Sequence, residues 1–134
     1  MQGINSKIFN TERTSFFCTL NNRTGNWMFK YYRAEGLVQL FDSDMLNPNA
    51  VEAVFSAPKD AIHAMTHSGQ SFNSVEFPVH TEMTTQLALR NCKLIVHANH
   101  PDHNSGMLVF EFKHDTIGGN LVFHIPVAVF DALH

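Results

Sequence analysis

Cysteine is scarce in this chain: Cys18 and Cys92 are the only two among 134 residues. That is too few for the disulfide framework on which small secreted domains depend. Long apolar runs are missing as well. No stretch approaches the roughly 18 apolar residues of a membrane helix, and residues 1–7 lack the apolar segment of a signal peptide. The expectation is a reduced, cytoplasmic protein without membrane contact, in which Asn22-Arg23-Thr24 is a coincidental glycosylation sequon. Positive charge is also short, with nine Lys and Arg against twelve Asp and Glu and a net charge of −3. Duplex DNA is disfavoured as a partner, because such binding draws on many cationic phosphate contacts.

Catalytic signatures are equally sparse. The sequence has no Gly-x-Ser-x-Gly elbow and no glycine-rich phosphate loop. Asp42, Asp44, Glu76 and Glu82 have nothing to place them in pairs for glycoside chemistry. Both cysteines fall in β-prone segments, where the residue usually acts as a small buried hydrophobe. The balance leans away from an enzyme.

What the chain has in quantity is phenylalanine, twelve against two Tyr and one Trp, which suggests a core filled by ring packing. At 44% hydrophobic and 16% charged residues the composition is that of a folded domain. A chain of this length removes roughly two thirds of its unfolded surface from water without a metal or disulfide staple. No linker or repeat divides it, so residues 1–134 are read as one domain.

The β signal comes in short runs separated by turn formers. Thr14–Leu20 stops at Asn21–Asn26, and Trp27–Arg33 follows with Trp27, Phe29 and Tyr31 on one face. Gly36 turns the chain into Leu37–Phe41. Further strands are expected over Phe72–Val79, over Met83–Ala98 with a bulge near Asn91, over Gly106–His114, and over Leu121–Ile125. Pro126 ends the last strand or kinks it before Val127–Phe130. One helix is expected near 57–67, with Ser56 as its N-cap and Ser68-Gly69 as its stop. The fold class is therefore mainly β: an antiparallel sandwich or partly open barrel of about seven strands with one short helix.

Three functional readings follow. Apolar residues on both faces of 87–96 and 107–112 suggest a sheet covered twice or a face that meets a partner. The leading expectation is a non-catalytic binding or assembly module that self-associates or takes a protein partner. The second reading is metal binding, zinc for example, by His97, His100 and His103 with Asp102, since imidazole and carboxylate suit divalent transition metals. His63 and His67 also share a helix face at i and i+4, but without the glutamate of a metalloprotease motif they read as a polar face. The third is a single-strand nucleic-acid platform using Lys30, Tyr32 and Arg33, where bases stack on aromatics beside cations.

Overall fold

The computed structural model describes residues 7–11, 15–22, 25–42, 53–69, 72–84, 87–99, 106–114 and 119–133. The first sheet is a meander of β1 (Lys7–Thr11), β2 (Ser15–Asn22), β3 (Gly25–Tyr32), β4 (Leu37–Asp42) and β5 (Ala53–Ser56). Helix α1 (Lys59–Thr66) then carries the chain to the second meander: β6 (Asn73–Phe77), β7 (Lys93–Ala98), β8 (Met107–His114) and β9 (Gly119–Pro126). A single 3₁₀ turn, Leu87–Asn91, precedes β7, and α2 (Val127–Asp131) follows β9. Within each sheet every strand pairs antiparallel with its neighbour in sequence.

The alternation of side chains turns this topology into a sandwich. Phe16, Cys18, Trp27, Phe29, Tyr31, Val38 and Leu40 face inward from the first sheet, and Leu94, Val96, Leu108, Phe110, Phe112, Leu121, Phe123 and Ile125 from the second. Phe29 is the hub: its ring centroid lies 5.0 Å from Phe110, 5.6 Å from Phe112 and 4.7 Å from Phe123 across the interlayer space. One seam joins the layers through backbone. The isolated bridge between Phe55 and Val79 is flanked by Ser56 N donating to Pro78 O at 3.1 Å and His80 N donating to Val54 O at 2.6 Å. The sheets do not close into a barrel.

The expected mainly β sandwich is therefore observed, with particular corrections. The described residues hold nine strands rather than about seven, and two helices rather than one. The expected helix near 57–67 is α1, but its N-cap is Pro58 and no side chain caps it, so Ser56 stays in β5. Residues 83–98 are not one bulged strand. Leu89 and Cys92, three apart, are both buried, which suits a turn of three residues per revolution better than a strand. Past Pro126 the chain winds into α2 because Phe130 and Leu133 then bury together at the end of the core, Phe130 lying 5.4 Å from the Tyr31 ring. That packing overrides the β preference of Val127 and Val129. Among the described residues no helix is long and apolar enough to cross a membrane.

Both thiols are buried. Burial pushes Cys92 from its ordinary 9.0 up to about 11. Burial likewise raises the Tyr31 phenol, whose O–H donates to Ala57 O at 3.1 Å. The folded state holds these protons to higher pH than the unfolded chain does. The Cys92 contribution to stability is intact below about pH 9 and is lost as pH rises through about 11, and that of Tyr31 is lost at higher pH still. Denaturant melts are expected to show constant stability up to about pH 8 and a marked fall by about pH 11. A disulfide-exchange thiol reagent near neutral pH should find no reactive cysteine until the chain unfolds.

Candidate functional site

The outward face of the second sheet is crossed by a line of polar side chains. Register places Ser74 opposite His97, and Glu111 two pairs along from His97, on the same face of the next strand. The Ser74 hydroxyl lies 2.7 Å from His97 Nδ1, and His97 Nε2 lies 2.9 Å from Glu111 Oε1. Asn120 Nδ2 completes the line by donating to Glu111 Oε2 at 2.6 Å. An ionised carboxylate only accepts, so in the neutral ring Nε2 carries the hydrogen and Nδ1 accepts from Ser74. The Phe72 ring stacks over His97 at 6.0 Å with the planes 6° apart.

The order hydroxyl, imidazole, carboxylate is that of a proton relay for nucleophilic catalysis. Ser74, however, stands exposed in the middle of β6. Amides along a strand point alternately to its two sides, so they do not converge as the pair of donors that an oxyanion requires. The line is a side-chain brace across the sheet. It ties β6 to β7, β8 and β9 by side chains in addition to the ladder.

That brace supports an edge. β6 ends the second sheet, and among the described residues no strand pairs with its outer side. Val75 shares its row with Val96 and Phe110, which are buried, yet is itself 40% exposed. Phe72, just before the strand, is 46% exposed. At the opposite edge, the inward residues of β9, Leu121, Phe123 and Ile125, are fully covered. The core is open to solvent at Val75, although Phe77 on the same face of β6 is buried, and it is shut along β9.

The sequence-derived candidates fall in three places. His97 is placed at the centre of the polar line, with both ring nitrogens engaged by Ser74 and Glu111. His100, Asp102 and His103 lie outside the described residues. Lys30 and Tyr32 meet on the outer face of the first sheet, where Lys30 Nζ sits 4.9 Å from the Tyr32 ring and 5.3 Å from that of Phe17. Tyr32 donates its hydroxyl hydrogen to Gln39 Oε1 at 3.3 Å. Arg33 does not join them: it opens the turn at residues 33–36, its Nε is buried without a hydrogen-bond partner among the described residues, and its charge bears on Tyr31. Val109, in the 107–112 stretch whose two apolar faces suggested a double cover or a partner, is only 7% exposed. Ser74, Val75, Glu111 and Asn120 went unnoticed as a site because only strand register brings them together.

No family model, curated protein or solved structure matches this chain. The functional reading therefore rests on its own residues.

Proposed function

We propose that this chain is a non-catalytic assembly module whose partner is a second copy of itself, joined along the outer edge of β6. Val75 carries the reading: it is a core-facing valine left 40% exposed on an edge strand. A strand laid against that edge covers Val75 and takes up the outward backbone donors and acceptors, the usual fate of an unprotected edge. Antiparallel self-pairing centred on Val75 sets Val75 against its own copy and Ser74 against Glu76, so the Glu76 carboxylates do not oppose each other. The four-stranded sheet would then continue across the two-fold axis into its copy. β1, an edge of the first sheet, has a register shift between Ile8 and Asn10, an irregularity that discourages regular pairing.

Five residues of edge and two apolar side chains lie at the small end of the interface range, below about 1,200 Å². Association is accordingly expected to be reversible and in the micromolar range. Sedimentation over a range of concentration checks it: a monomer–dimer equilibrium is expected, abolished by Val75→Lys and untouched by Met83→Lys, a control at an exposed residue away from β6. Melting curves of both variants establish that the fold survives. A monomer at every concentration, or a dimer that Val75→Lys leaves intact, contradicts the proposal. Co-purification of a monomer with another protein would transfer the edge to that partner.

A further inference from the structure

We infer that His63, His67 and Asp131 form a surface site for one divalent transition metal ion, which fastens α2 to α1. The three residues offer one ligand atom each, all within 4.8 Å of one another, and all are exposed. His63 and His67 stand one turn apart on α1 and just past its end, with ring centroids 4.2 Å apart and planes inclined at 37°. Asp131 comes from the far end of the sequence, its Oδ2 lying 3.5 Å from His67 Nε2. A tetrahedral zinc ion with bonds of about 2.0–2.1 Å needs donors roughly 3.3 Å apart. One pair is already close to that separation, and rotation of exposed side chains closes the other gaps.

The supports beneath the donors are fixed even though the donors are in water. The Met65 carbonyl accepts from Asn73 Nδ2 at 3.1 Å and Asn99 Nδ2 at 3.2 Å, which holds the end of α1 against β6 and β7. Thr66 Oγ1 donates to His63 O at 2.9 Å, and His67 N donates to the same carbonyl at 3.1 Å. Buried Phe130, next to Asp131, anchors α2. Donors on restrained elements lose less freedom on binding. Two imidazoles and one carboxylate suit zinc, cobalt, nickel or copper and are poor for calcium or magnesium, which favour all-oxygen shells. Three protein ligands leave a fourth position for water.

The test uses the tag-free, chelator-stripped 134-residue chain titrated with zinc chloride in a calorimeter, with thermal melts in parallel. One zinc per chain is expected, and a hundredfold excess over Kd should raise the melting temperature by at least about 5 °C. His67→Ala is expected to weaken binding at least tenfold and Asp131→Asn severalfold. A His100→Ala, His103→Ala double substitution is expected to leave it unchanged. Absence of stoichiometric zinc, or zinc binding indifferent to His67→Ala, overturns the site. Zinc binding that ignores Asp131→Asn overturns the link to α2.

Discussion

Replacing Phe29 by Ala is expected to remove about 3–5 kcal/mol of folding stability, the range for truncating a buried Phe. The site favours the upper end. Phe29 is fully buried, and besides its three partners on the second sheet it makes an edge-on contact with Phe16 at 5.9 Å. Each such ring pair adds about 0.5–1.5 kcal/mol beyond area burial. The void would open midway between two stiff sheets, which relax little to fill it, and the cavity penalty rises with the volume left behind. Since small domains are stable by only about 5–15 kcal/mol, the loss is a large fraction of the whole. Urea denaturation at about 25 °C measures the difference, with Phe72→Ala expected to change stability by no more than about 1 kcal/mol.

The second large effect is expected at Gly36. Its φ is +65°, in the left-handed region, where an L side chain costs about 1–2 kcal/mol. An added Cβ would also come within 2.9 Å of Pro58 Cα, a backbone atom that cannot swing aside. Moving Pro58 would disturb two bonds beside it: Ala57 N donating to Gly36 O at 2.7 Å, and Tyr31 donating to Ala57 O. Strain and overpacking together put Gly36→Ala at about 2–4 kcal/mol. Gly69 separates the two contributions. Its φ is +79°, yet nothing lies within 4 Å of the added carbon, so Gly69→Ala carries the dihedral cost alone. Equal destabilisation at the two positions would rule out a role for the Pro58 contact.

The fold was largely legible because much of it follows from local pattern. Trp27, Phe29 and Tyr31 alternate with Met28, Lys30 and Tyr32, and the first set is the buried one. α1 lies within the expected 57–67, although Pro58 rather than Ser56 stands at its N-cap. Misreadings arose where tertiary packing outweighed preference, as at Leu87–Asn91 and at α2. The candidate edge was far less legible. Val75 and Val96 look alike as residues, and only the order of strands leaves one 40% exposed while it buries the other. Asp131 is likewise separated from His67 by the whole of the second sheet and reaches it only because α2 folds back.

Each sheet is a continuous passage of sequence, residues 7–56 for one and 73–126 for the other, and the described backbone bonding between them is concentrated at the Phe55–Val79 seam. The molecule is thus built like a book, two hydrogen-bonded covers with one stitched spine. Opening it severs few backbone hydrogen bonds but wets the phenylalanine interior. Loss of close packing can therefore precede loss of strands, giving an ajar state rich in β-structure whose inner pages offer fresh surface to other chains.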